Sequence, residues 1–160
     1  MKYLSNLLEG LAFTELQGSA DIEISCVVFN SRRVVPGCLF VAVRGAAADG
    51  HDFIEQAVKN GAAAVICEDL PGHVTGEADF LMVADSAEAL GIVAANFYDN
   101  PSDKLKLVGV TGTNGKTTVA TLLYKLFRAL GYKCGLLSTV ENQVNGKVLP
   151  ATHTTPDPVA

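Results

Sequence analysis

The chain has 160 residues, of which 49% are hydrophobic and 18% charged, with 15 Gly and 6 Pro; this composition supports a buried core and excludes a disordered or collagen-like polymer. Twelve Lys and Arg against 17 Asp and Glu leave a net charge of −5, which argues against a general nucleic-acid surface. The apolar runs are far shorter than the roughly 20 residues of a membrane span, and Glu9 interrupts the start before a signal-peptide core develops, so a cytoplasmic protein without membrane insertion or nucleic-acid partner is expected.

Residues 24–29 and 38–43 read as strands, joined through a turn signalled by Pro36-Gly37. Asp52 with Glu55 three positions on suggests a capping box opening a helix, with Phe53, Ala57 and Val58 as its apolar face and Gly61 as its stop. Residues 62–67 and 80–83 read as further strands. Asp85 and Glu88 repeat the capping pattern ahead of Leu90, Val93, Ala94 and Phe97 at helical spacing. Strands alternating with helices imply an α/β layer with a largely parallel sheet.

The polar, turn-rich residues 99–103 form the candidate boundary between a domain over 1–100 and a second over 104–160, the alternative being a surface loop within one domain. Residues 105–110 are expected to be a strand and 117–130 a helix. Val119, Leu122, Leu123, Leu126, Phe127 and Leu130 make one apolar packing stripe, ended by Gly131. A strand over 134–137 would complete a β-loop-α-β unit; the rest carries turn residues and no further strong helix. A lone unit of this kind covers its sheet poorly, so a piece of a longer protein is expected. Cys26, Cys38, Cys67 and Cys134 form no close CxxC pair, and buried free thiols are expected, with a structural disulfide as the alternative.

The sharpest chemical signal is residues 109–118, GVTGTNGKTT, between the expected strand and helix. Glycines let backbone N–H groups turn toward phosphate oxygens, and the helix start adds its positive dipole end. Gly112, Thr113, Asn114, Gly115, Lys116, Thr117 and Thr118 are therefore the candidate nucleotide-binding residues. Lys116 is the charge for the terminal phosphates of ATP and the candidate catalytic residue, and Thr117 offers a hydroxyl to Mg2+. The match to GxxxxGK[ST] is incomplete, since Val110 stands where the first glycine belongs. Ser31, Arg32 and Arg33, and the stretch from Arg44 to His51, follow expected strands, where α/β proteins collect ligands. His51, His73 and His153 show no metal-ligand spacing.

Three blocks in this order carry a resemblance over essentially the whole chain: Asn30-Ser31-Arg32 with Pro36-Gly37 and residues 39–42; Gly45 followed by Asp49-Gly50-His51-Asp52-Phe53-Ile54; and residues 110–118. The chain resembles the N-terminal part of a Mur ligase, of the branch that adds a diamino acid; the branch adding D-alanyl-D-alanine is the nearest alternative, and a non-catalytic nucleotide-binding regulatory module the alternative outside the family. The resemblance implies a uridine-nucleotide substrate domain followed by the start of a P-loop ATPase domain. It implies a monomeric bacterial cytoplasmic enzyme of peptidoglycan precursor synthesis. In the family reaction ATP activates the terminal carboxylate of UDP-N-acetylmuramoyl-L-alanyl-D-glutamate as an acyl phosphate, and a diamino acid, meso-diaminopimelate or L-lysine, captures it. The amino-acid pocket lies in a domain beyond this chain, so the chain alone is expected to be inactive. The family usually has Asp where this chain has Asn30, which keeps hydrogen-bonding capacity without the charge. Ser31 is carried over as a substrate contact. Ala46, Ala47 and Ala48 stand where relatives carry His-Gln-Ala, leaving backbone contacts, and Thr154 and Thr155 match paired substrate-binding threonines.

Overall fold

The computed structural model describes residues 1–45, 48–72, 76–149 and 159. Chain contacts divide it into two compact units, one over Met1–Leu105 with Val159 and one over Lys106–Pro158 with Ala160.

The first unit opens with β1 (Lys2–Tyr3), α1 (Leu4–Leu7), β2 (Glu15–Gln17), β3 (Glu23–Ile24) and β4 (Cys26–Val28). It continues through β5 (Cys38–Val41), α2 (Ile54–Lys59), β6 (Ala64–Cys67), β7 (Asp79–Met82) and α3 (Ser86–Phe97). The main sheet has the order β2-β7-β6-β5-β4. Strands β4 to β7 are parallel, and β2 closes one edge antiparallel to β7. The central strands β5 and β6 are buried on both faces, in keeping with their continuous apolar sequence. Side chains alternate across a strand: Leu39, Val41, Ala64, Ile66 and Leu81 pack with Leu4 and Leu7 of α1 and Ala89, Leu90 and Val93 of α3. Cys38, Phe40, Val65 and Cys67 pack instead with Ile54, Ala57 and Val58 of α2.

The strand expected over 24–29 is two. Ile24 pairs antiparallel with Lys2, whereas Cys26–Val28 pairs with β5; the chain changes partners at Ser25, whose N–H and hydroxyl are taken by Gly37 and Pro36 carbonyls. Pro36 and Gly37 form the expected turn, with Gly37 at φ +83 and the Cys38 N–H bonded to Val35 O at 3.1 Å.

The start of α2 corrects the sequence reading. Asp49, rather than Asp52, caps the turn: its side chain accepts the His51 N–H, and a 3-10 turn over Gly50–Phe53 precedes the helix. Ile54 takes the buried place expected for Phe53, which is exposed, because the extra 3-10 turn rotates the helix face. Gly61 (φ +98) ends α2 as expected, with Gly61 and Ala62 N–H bonded to Val58 and Ala57 carbonyls, a Schellman closure. Asp85 caps α3 by accepting the N–H groups of Ala87 and Glu88.

Cys26 and Cys38 are register partners and are joined by a disulfide, Cα atoms 4.7 Å apart. The expectation of free thiols fails for this pair because strand register, which spacing alone does not reveal, sets them face to face. Cys67 and Cys134 are free, and burial pushes the Cys67 thiol up to about 11.

The second unit contains α4 (Lys116–Ala129) and an antiparallel sheet of β8 (Gly135–Leu136), β9 (Asn142–Val144) and β10 (Lys147–Leu149), in the order β10-β9-β8. Gly131 (φ +86) closes α4, with Gly131 and Tyr132 N–H bonded to Arg128 and Phe127 carbonyls. Asn145 (φ 51) and Gly146 (φ 92) turn the chain between β9 and β10, a hairpin the sequence reading passed over. Residues 105–110 are not a strand: among the described residues none pairs with them, and Leu105, Leu107 and Val108 are exposed. Of the expected β-loop-α-β unit the helix is present and the strand expected over 134–137 is present as β8, which opens an antiparallel meander in place of pairing with a strand over 105–110. The α4 stripe is helical but uncovered, since Val119, Leu122, Leu126, Phe127 and Leu130 are exposed, and the buried residue of the helix is Tyr124, whose hydroxyl accepts the Gly146 N–H at 2.8 Å.

Candidate functional site

Polar groups gather in the first unit after the ends of its parallel strands. Beyond β4, Asn30 Oδ1 accepts the Arg32 N–H at 3.0 Å and caps a 3-10 turn over Ser31–Arg33. The amide oxygen does this without the charge of an aspartate. Ser31 is buried, and with Arg32, Asp52, Phe53, Gln56, Lys59 and Asn60 it lines a cleft of about 450 Å³.

Beyond β5, Arg44 and Asp49 form an isolated antiparallel bridge, and the Gly45 N–H meets Ala48 O at 3.0 Å. Gly50 returns the chain so closely that a Cβ there would lie 2.6 Å from Val43 N and 2.7 Å from Val43 O, so the position admits no side chain without moving backbone. Glu68, just past β6, donates its N–H to His51 Nε2 at 2.9 Å. The neutral ring therefore carries its proton on Nδ1, which donates to Asp49 Oδ1 at 2.6 Å.

The His51 N–H and ring hold the Asp49 carboxyl below the usual carboxylate range. Glu68 is likewise lowered, first by the Ser86 N–H (3.1 Å) and hydroxyl (2.8 Å) and then by Arg44. Arg44 reaches Glu68 at 3.2 Å and Asp49 at 3.6 Å and also pairs with Asp69. This network ties the loop after β5 to the end of β6 and the start of α3.

In the second unit, Gly112 (φ +147) and Gly115 (φ +78) give residues 112–115 a turn that favours glycine. Gly115 is the N-cap of α4, and no side chain caps it. The first intrahelical bond is Val119 N–H to Gly115 O at 2.9 Å, so the N–H groups of Lys116, Thr117 and Thr118 precede the helical ladder and point along the positive end of the helix dipole. Lys116 folds over the turn, its ammonium donating to Gly112 O at 2.6 Å and Thr113 O at 3.3 Å. That places a flexible cation beside a set of backbone donors.

The Mur ligase family, catalytic domain, profile matches residues 23–114, and the Mur ligase middle domain profile matches residues 110–160. The chain belongs to the Mur ligase family. It is 54% identical over 158 residues to the UDP-N-acetylmuramoyl-L-alanyl-D-glutamate--2,6-diaminopimelate ligase of Cytophaga hutchinsonii, covering 98% of this chain and 32% of the relative. It is 51% identical to the ligase of the same name from Parabacteroides distasonis, with the same coverage. This Mur ligase chain thus spans about a third of the length of the curated relatives it matches. A solved UDP-N-acetylmuramoyl-L-alanyl-D-glutamate--2,6-diaminopimelate ligase superposes with a TM-score of 0.63 at 28% identity, over 85% of this chain and 27% of that one. A D-alanyl-D-alanyl ligase from Acinetobacter baumannii gives 0.59 at 29% identity, over 80% and 28%.

Of the residues expected at the site, Ser31 stands at the cleft, Ala48 closes the loop after β5, and Gly112, Thr113, Asn114, Gly115, Lys116, Thr117 and Thr118 form the glycine-rich turn and first turn of α4. Ala46, Ala47, Thr154 and Thr155 lie outside the described residues. Sequence reasoning missed Gln56, Asn60, Glu68 and Ser86. Glu68 follows a parallel strand as Ser31 does, so the strand-end criterion would have found it; Gln56 and Asn60 carry no local signal.

Proposed function

We propose that this chain belongs to an ATP-dependent ligase that adds a diamino acid, 2,6-diaminopimelate, to UDP-N-acetylmuramoyl-L-alanyl-D-glutamate in bacterial peptidoglycan precursor synthesis. Residues 1–100 serve as the uridine-nucleotide domain and 104–160 as the beginning of a P-loop ATPase domain. The observation that carries the reading is the uncapped start of α4 with Lys116 folded over it, in a chain half identical along its length to ligases of that name.

The donor set fits a triphosphate. Backbone N–H groups of residues 112–118 take phosphate oxygens at the positive end of α4, Lys116 balances the charge of the terminal phosphates, and Thr117 supplies a hydroxyl of the hard-oxygen type magnesium prefers. Bound magnesium would neutralise charge on the phosphates as the carboxylate is activated. Lys116 exchanges its bonds to Gly112 O and Thr113 O for phosphate oxygens, which makes it a reserve of charge at the reacting end. Ser31 donates its hydroxyl to the uridine nucleotide, the backbone of residues 46–48 contacts its diphosphate, and Thr154 and Thr155 add hydroxyl donors. Amino-acid selection is assigned to a domain outside this chain, and the enzyme is assigned as a cytoplasmic monomer.

Calorimetric titration of the chain tests this. Saturable binding of UDP-N-acetylmuramoyl-L-alanyl-D-glutamate is expected, weakened in Ser31→Ala, together with Mg-ATP binding lost in Lys116→Ala. Preference for the tripeptide form would favour the D-alanyl-D-alanine-adding branch. Mg-ATP binding alone would favour a regulatory module, and a folded chain that binds neither ligand overturns the reading.

A further inference from the structure

We propose that Asn60, supported by Gln56, is a positioning residue that sets Ser31 for the uridine nucleotide, an inference that rests on the substrate reading above. All three residues line the cleft of about 450 Å³. Ser31 is only 8% exposed, so its hydroxyl reaches a ligand in few orientations, and those are set by its backbone.

That backbone is fixed from two directions. Within the turn, Asn30 accepts the N–H groups of Arg32 on its side chain (3.0 Å) and Arg33 on its carbonyl (2.9 Å). From α2, Asn60 Nδ2 donates to the Ser31 carbonyl at 3.0 Å, across 29 positions of sequence. A carbonyl can only accept, so Asn60 must present its NH₂ to Ser31 and turn its oxygen away. The oxygen then meets Gln56 Nε2 at 2.9 Å. The reversed amide would set oxygen against oxygen at Ser31, so the Ser31 carbonyl fixes the Asn60 amide and the Gln56 bond supports it. Asn60 is also the C-cap of α2, its own N–H bonded to Gln56 O at 3.0 Å, so the donor is held by a helix end packed on the sheet. The Gln56–Asn60–Ser31 relay thereby ties the peptide of the candidate substrate serine to the core.

The experiment is a double-mutant cycle read by calorimetry with UDP-N-acetylmuramoyl-L-alanyl-D-glutamate, each variant checked by thermal melting. Loss of one such hydrogen bond corresponds to about three- to tenfold weaker binding in Asn60→Ala, and Gln56→Ala, which removes only the supporting bond to the Asn60 oxygen, has a smaller effect. In the Ser31→Ala background, Asn60→Ala adds no further loss, because the group it positions is gone. A merely structural Asn60 would weaken binding equally in both backgrounds, and that result overturns the proposal. So does wild-type affinity in Asn60→Ala. Should Asn60→Ala fail to fold, the same cycle with Gln56→Ala decides. If the folded wild-type chain does not bind the ligand at all, the substrate reading falls and this inference with it; binding that Ser31→Ala weakens and Asn60→Ala does not overturns this inference alone.

Discussion

Glycine-to-alanine substitutions at Gly50 and Gly91 are chemically identical, and the structure assigns them opposite signs. At Gly50 the added methyl would sit 2.6 Å from Val43 N, 2.7 Å from Val43 O and 2.9 Å from Ala42 C. All three contacts are backbone at the end of the buried strand β5, so relief requires moving the loop and losing the Gly50 N–H to Val43 O bond of 2.9 Å. Overpacking of this kind costs about 1–3 kcal/mol, and the lost bond about 0.5–1.5 kcal/mol more. Gly91 lies inside α3, is exposed, and an added Cβ meets nothing within 4 Å. Alanine there gains helix propensity of about 0.8–1 kcal/mol. For a domain of this size each kcal/mol moves the midpoint by roughly 4–8 °C. Scanning calorimetry should therefore place Gly50→Ala at least about 6 °C below the wild type and Gly91→Ala several degrees above it. A Gly50→Ala variant that melts with the wild type would refute the argument that this loop admits no side chain.

Asp85→Ala removes the acceptor for two N–H groups at the start of α3 and should cost about 0.5–2 kcal/mol, read from denaturant midpoints at unchanged slope. Asp49 and Glu68 have folded-state pKa values below their ordinary ones. Their stabilisation is thus complete above the ordinary carboxylate range, near pH 4, and is lost as pH falls through the lowered values. Melting curves between about pH 6 and pH 2 should show a shallower acid decline in Asp49→Asn/Glu68→Gln than in the wild type; parallel curves would contradict the network's role.

What was legible in the sequence was local. Gly61 and Gly131 end helices because their neighbours' N–H groups fold back on the preceding turn. Asp85 caps α3 through residues two and three positions on, and the glycines before Lys116 shape a helix start within a few residues. The same local chemistry was present in Asn145-Gly146, whose consecutive positive φ angles make the β9–β10 hairpin. At α2, however, two acidic residues competed for one role: Asp52 satisfied the pattern, but Asp49 holds the cap because the chain first makes a 3-10 turn.

Tertiary structure decided everything that depends on which distant segments meet. An apolar run such as residues 105–110 becomes a strand only where a partner supplies ladder bonds, and none among the described residues does. Strand register set Cys26 opposite Cys38. Parallel order in the sheet brought His51 to the Glu68 N–H and Asn60 to the Ser31 carbonyl, separations of 17 and 29 residues that carry no periodic trace in sequence. Helix ends and glycine-rich turns are satisfied by neighbours along the chain and so can be read from it. The bonds that orient the candidate substrate residues are satisfied across the sheet, and there only the fold supplies the partner.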